Sequence, residues 1–259
     1  MNDLEFERSA ISPGDCIGNA WSLVSNKFWL YIGIGLVTLI MIGCIPIVNL
    51  FLIGPVLGGF YYVVLRDMRG EPIDFGMLFK GFEKFVPLMV VGLIQAIPGV
   101  IFQIFRFTVD IAQILGTSGS SRGTFLQSNS PEFGIAQGLS VVMIFLVIGF
   151  VIFSIIWNLI FFFAIPLILE HDLGVFDAIK LSAKAAFSNL GGLIFLMILG
   201  ALVGLLGVLA LCVGIFVAIP VIYAANAFAY RQVFPLIEQS FNLAPPPPTE
   251  YGNFGSGMQ

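Results

Sequence analysis

Charge is what this 259-residue chain has least of. Eleven Lys and Arg with fifteen Asp and Glu make up 10% of it, where soluble domains carry roughly 25%. Hydrophobic residues supply 58%, and the mean hydropathy is +1.02. A water-soluble fold of this length cannot hide so much apolar surface, so lipid must be part of its solvent. The few cations are dispersed and the net charge is −4. That excludes a nucleic-acid partner, because phosphate backbones are held by clustered Lys and Arg.

Cysteine and histidine are equally scarce. Cys16, Cys44 and Cys212 form no CxxC and no metal-ligand spacing, which argues against a disulfide framework or a zinc site. Cys44 and Cys212 both fall near the outer ends of helices, where a bridge is geometrically open. Buried free thiols are the ordinary alternative. The one histidine, His171, stands between Glu170 and Asp172. Consecutive helical residues point about 100° apart, so the three cannot share one metal. A helix exit at the water boundary is expected there. No HExxH, GxSxG, Walker loop or SxxK occurs, so neither an enzyme nor a cofactor is expected. The N-terminus MNDLEFERSA lacks the basic start and early apolar core of a signal peptide. The first apolar run, from Phe28, reads as an anchor that is retained.

Long uncharged runs are what the sequence has instead. No charge occurs over the 38 positions between Lys27 and Arg66, nearly twice the ~20 residues of one crossing. Pro46 and Asn49 mark a turn in it, so two helices are expected, about 28–46 and 49–66. Residues 85–105 fit one more. Residues 133–169 read as one long helix opened by Ser130-Pro131-Glu132. Residues 185–230 hold two more, turning between Gly204 and Gly214. Six spans with an internal N-terminus put Arg8, Lys27, Arg66, Arg69, Lys80, Lys84, Lys180, Lys184 and Arg231 inside. Only Arg106 and Arg122 fall outside. This positive-inside bias sets both termini in the cytoplasm.

An amphipathic device precedes each hairpin. Ile17, Ala20, Trp21, Val24 and Phe28 recur at helical spacing, as do Phe75, Leu78, Phe79 and Phe82. Ile179, Ala183, Ala186 and Leu190 form the third stripe. Such helices lie in the headgroup layer with the apolar face down. The expected architecture is therefore an all-α, polytopic transmembrane helical bundle. Residues 1–14 form a cytoplasmic segment and 15–240 the membrane domain, in three units of about 15–66, 74–170 and 177–231. The Pro/Gly-rich tail 241–259 cannot build a core and is expected to be disordered. Ser25-Asn26, Pro55 and Arg66 match Ser188-Asn189, Pro220 and Arg231 at offsets of 163 to 165, which points to duplication of the first unit as the third.

GNAWSLVSNKFWLYIGIGL, GPVLGGFYYVVLRDMRGE and FAIPLILEHDLGVFDAIKLSAKAAFSNLGGL resemble bacterial multi-pass membrane families similar to the membrane domain of glycerophosphodiester phosphodiesterases. The resemblance covers most of residues 10–235. It implies a protein of the bacterial cytoplasmic membrane. The catalytic barrel of those enzymes has no counterpart here, so no activity is implied.

The spans as drawn contain no ionisable residue, which weighs against charge-coupled transport. Among their polar groups Gln95, Asn158 and Asn226 lie deepest and are the candidates for a polar cavity; helix-to-helix hydrogen bonding is the plainer role. Gly54 with Gly58, and Gly200 with Gly204, are small-xxx-small faces for helix packing, within one copy or between two. Pro55, Pro98 and Pro220 should kink their helices. Trp29, Tyr31, Tyr61, Tyr62 and Tyr230 fit an interfacial aromatic belt. The reading that follows is a non-enzymatic membrane scaffold, or a binder of lipid or another apolar molecule. Membrane lipids are its expected partners, with a further copy or another membrane protein as the alternative. A transporter or channel for a neutral solute ranks second, and a lipid-acting enzyme third. A cysteine placed at Ser120 should react with an impermeant maleimide in intact cells. Labelling only after permeabilisation would invert the topology.

Overall fold

The computed structural model describes residues 6–43, 46–117, 131–210 and 214–235. Every regular element among these residues is helical. The fate of Cys44 and Cys212, the 118–130 stretch and the tail 241–259 lie outside them. Helix α1, Pro13–Asn26, starts with Pro at its first turn behind an extended Ser12, and Asp15 favours its positive N-terminal end. It stops at Lys27 (φ −125°, ψ 44°). The chain then turns by 102° into α2, Phe28–Gly43. Helix α3 is Pro46–Met68. A 3-10 segment, Phe75–Lys84, follows; Asp74 caps it by accepting the Gly76 N–H at 3.0 Å. Then come α4 (Phe85–Thr117), α5 (Pro131–Phe161), α6 (Ala164–His171), α7 (Val175–Ser188), α8 (Leu190–Leu209) and α9 (Ile215–Val233).

Each short segment packs on the last helix of another unit. Helix α1 lies on α9, the 3-10 segment on α3, and α7 on α5 and α6. The three units therefore clasp one another in a closed cycle. The first and third are built alike: α1 and α7 each have 14 residues. Asn189 breaks α7 from α8 with φ −120° and ψ 25°, close to the dihedrals of Lys27.

The buried faces of these segments differ from the stripes read along the sequence. Helix α1 buries Cys16, Ala20 and Val24, while Trp21 remains 55% exposed. Helix α7 buries Ala178, Ser182, Ala185 and Ala186; Ile179 packs at the edge of that face and Leu190 is exposed. Small side chains win the protein side because they let helices approach closely, and the bulky ones turn outward. The middle copy is 3-10, not α, so a three-residue period puts Leu78 and Gly81 inward. Cys16 donates to Gln232 Oε1 at 3.3 Å. Burial, with Asp15 beside it, pushes the thiol up to about 12.

Glycine sets the tightest crossing. A Cβ on Gly54 would fall 1.9 Å from the Leu88 carbonyl oxygen, and one on Gly59 1.7 Å from that of Leu78. Gly92 and Gly81 answer from the other side, 2.8 Å from Gly54 N and 2.3 Å from Gly59 N by the same construction. Gly58 meets the Leu88 side chain. Gly200 and Gly204 do not act this way: a Cβ on either would sit at an ordinary 3.8 Å from Ile222. In that hairpin the close backbone approach is between Gly207 and Gly214.

Among the described residues four helical stretches are long and apolar enough to cross a bilayer, Leu50–Met68, Phe75–Thr108, Ile144–His171 and Leu190–Leu209. The bent α1–α2 pair makes a fifth. Their outward surface is apolar, with Phe145 70%, Ile104 62% and Leu206 65% exposed. Such a surface belongs in lipid. Two expectations change. Helix α4 runs on to Thr117, carrying exposed Arg106 and Asp110 as helical residues rather than as part of a loop. The single helix expected over 133–169 breaks after Phe161 because Pro166 has no N–H for the Phe162 carbonyl and its ring collides with it. The Phe163 N–H at the break donates to Ser182 Oγ at 3.0 Å. Tyr31 and Tyr230 are fully buried and Tyr61 nearly so, so these three do not form the expected belt; Trp29 is 83% exposed.

Gly59→Ala should destabilise the fold by roughly 2–3 kcal/mol through overpacking against the 3-10 segment. Gly99→Ala, with nothing within 4 Å of the added methyl, should stay within about 0.5 kcal/mol of the parent. Thermal unfolding in detergent checks both.

Candidate functional site

The site begins with a missing hydrogen bond. Pro98 cannot donate to the Ile94 carbonyl one turn back in α4. The indole of Trp157 on α5 donates to that carbonyl instead, at 3.1 Å. This contact pins α4 to α5 and brings their polar side chains level. Asn158 donates from Nδ2 to the Ser154 carbonyl at 2.8 Å and accepts from Gln95 Nε2 at 3.5 Å. The second bond is at the long limit for amides, so Gln95 keeps donor and acceptor capacity for a guest.

Gln95, Asn158 and Asn226, singled out from the sequence, come together in the wall of one cavity of about 450 Å³. Tyr61 of α3, beside Asn226, and Tyr223 of α9 complete the polar part. A second cavity of about 740 Å³ shares Leu57, Gln95, Asn158, Ile165 and Tyr223 with the first. It extends along α4 to Gln103 and along α5 to Ser154 and Phe150. The two lobes adjoin at the Gln95–Asn158 pair, and together they are called the cleft. Both fall in the range of small-molecule sites, about 300–1,000 Å³. Among the described residues no charged side chain lines either lobe. Gly200 and Gly204 line the smaller lobe, which is why neither is pressed against a backbone.

The floor under the cleft is held by charge. Lys84 donates to the carbonyls of Ile168 and Leu169 at 2.9 and 2.8 Å and pairs with Asp172. A cation on the last carbonyls of α6 offsets that helix's negative end. Asp172 itself takes the left-handed cap conformation (φ 51°), so the Glu170-His171-Asp172 run is a helix exit. Glu170 binds Arg231, accepts the Tyr230 hydroxyl at 3.0 Å and lies 4.0 Å from Arg69. Asp67, almost buried, takes Lys27 at 2.5 Å and the Tyr31 hydroxyl at 2.8 Å. Arg66 and Arg69 share Glu71 at 2.6 and 3.3 Å. Arg231–Glu170, with both side chains nearly buried, is worth little net, but losing one partner would strand the other; the more exposed pairs contribute less. Lys27, Arg66, Arg69, Lys84 and Arg231 thus collect at one end of the bundle.

Sequence reasoning missed Tyr61 and Tyr223 as part of the cavity and Pro166 as a break. Pro166 carried a readable signal, since it stands inside an apolar helix pattern. The tyrosines carried none, because only the α3–α9 packing brings them to Gln95. Among the described residues no three His, Cys, Asp or Glu side chains gather as metal ligands. No protein-family model, curated protein or solved structure matches this chain.

Trp157→Phe keeps the ring and removes the donor. The Ile94 carbonyl is then unpaired, at a cost of about 1–2 kcal/mol. Detergent unfolding should show that loss, whereas Phe153→Leu, which strips a ring without a hydrogen bond, should cost less.

Proposed function

We propose that this chain is a non-enzymatic, multi-pass protein of the bacterial cytoplasmic membrane that binds a lipid or another apolar molecule in the cleft between its units. The convergence of Gln95, Asn158 and Asn226 on an uncharged cavity carries the reading. A scaffold would gain nothing from a hollow with three amides facing it, since filling that space would stabilise it. The amides orient a guest, and the apolar walls supply most of its affinity. In this reading the chain crosses the bilayer six times with both termini in the cytoplasm. The gathering of five cations at one end of the bundle supports that sidedness. The exposed aromatics of the three short segments, Trp21, Phe79 and Phe187 among them, rest in the headgroup layer beside Lys27, Lys80 and Lys184.

A transporter of neutral solutes is the second reading, and one observation favours it. The cleft is lined by all three units, through Leu57 and Tyr61, Gln95 and Asn158, and Tyr223 and Asn226. Repeat-built transporters bind at such junctions. Counterflow of the identified guest in proteoliposomes separates carrier from binder.

Protein purified in mild detergent should retain a neutral, extractable molecule detectable by mass spectrometry. Asn158→Leu with Asn226→Leu should weaken its binding about thirty-fold, since each of the two lost hydrogen bonds is worth roughly 1 kcal/mol. Equal retention by parent and variant would remove the amides, and this reading, from consideration.

A further inference from the structure

The cleft has a side door. Helices α5 and α8 barely touch, although both flank the smaller lobe. Phe161 and Phe162 stand on one side of the gap, and Met197, Gly200, Ala201 and Gly204 on the other. Both α5 and α6 pack on α7 instead, which leaves the end of α5 with little contact on its α8 side. On α8 a run of small residues faces that opening, and Ala201 is exposed at its edge. The door opens sideways, into lipid.

The depth of the amides defines the guest's polar part. Gln95 lies ten residues beyond Phe85, about 15 Å of helix rise, and Asn226 five residues before Arg231, about 7–8 Å. A leaflet's hydrocarbon is roughly 15 Å deep, so the amides sit inside the leaflet adjoining the charged end. A phosphate at that depth would face walls without a single cation, at a large desolvation cost. The guest's polar part is therefore uncharged. Amides donate to carbonyls and accept from hydroxyls. Two apolar lobes diverge from the one polar junction, so two chains leave the guest's polar part.

Resting on the binding reading above, we infer that the cleft takes a two-chain lipid with an uncharged ester-and-hydroxyl linkage, in its simplest form a diacylglycerol, entering from the bilayer between α5 and α8. One acyl chain fills the smaller lobe against α8 and α9. The other runs in the larger lobe along α4 past Gln103. The ester carbonyls and hydroxyl meet Gln95, Asn158 and Asn226.

The test uses the full chain in detergent micelles and a diacylglycerol with a photoactivatable acyl chain. Labelling should map to α4 and α8, and excess dioleoylglycerol should suppress it, while dioleoyl-phosphatidylglycerol and geranylgeraniol should not. Ala201→Phe should lower labelling about ten-fold with the melting temperature unchanged; Gly204→Leu repeats the test should that variant fail to accumulate. Suppression by geranylgeraniol but not by dioleoylglycerol overturns the two-chain inference and leaves neutral binding standing. Equal suppression by the phospholipid overturns the uncharged linkage. Full labelling of both door variants overturns the route. Labelling spread evenly over the lipid-facing surface, unmoved by any competitor, overturns the binding reading itself.

Discussion

Backbone meets backbone along one face of α3, and the positions of the other helices follow from it. At Gly54 the chain of α4 comes so near that the Leu88 carbonyl occupies the place of a side chain. At Gly59 the 3-10 segment does the same with Leu78. Lipid tails are as apolar as leucine, so helices in a membrane gain little by merely hiding grease. Dispersion over a close contact must hold them. The crossing at Gly92 fixes α4 one turn before Gln95. Seating Gly81 against Pro55 and Gly59 carries the segment's end, Lys84, to the carbonyls closing α6. A contact between glycines thus sets both the wall of the cleft and its floor.

Proline supplies the complementary constraint. Inside hydrocarbon a carbonyl that loses its helical partner must find another. The chain answers Pro98, Pro220 and Pro166 in different ways. Ile94, released by Pro98, takes the indole N–H of Trp157 and ties α4 to α5. Phe216, released by Pro220, faces Gly35 of α2, where no side chain intervenes. At Pro166 helix α5 gives way to α6, and the Phe163 N–H at the break donates to Ser182 Oγ. Pro98 itself lines the larger lobe of the cleft.

Much of this was legible beforehand. The uncharged runs announced lipid, the spacing of cations announced one charged end, and three polar residues in apolar surroundings marked the cavity wall. These signals are local or additive, so no partner helix is needed to read them. Which residues of the apolar stripes on α1 and α7 would pack on protein was not legible, for the opposite reason. Periodicity marks which side is apolar, but both protein and lipid are apolar here, so hydrophobicity cannot choose between them. Residue size chose: alanine and cysteine went inward, tryptophan and phenylalanine outward.

The sequence alone pointed to an apolar surrounding, the helical class and the three amides that meet in one cavity wall, because each signal depends on composition or spacing along one strand of chain. Only the tertiary structure decided which glycine pair would be a contact and which a cavity wall. Gly54 meets a backbone, whereas Gly200 meets only the Ile222 side chain at an ordinary distance, although both stand in the same motif. A small residue permits close approach without requiring it; whether a neighbour takes the space depends on where its helix is held by the rest of the fold.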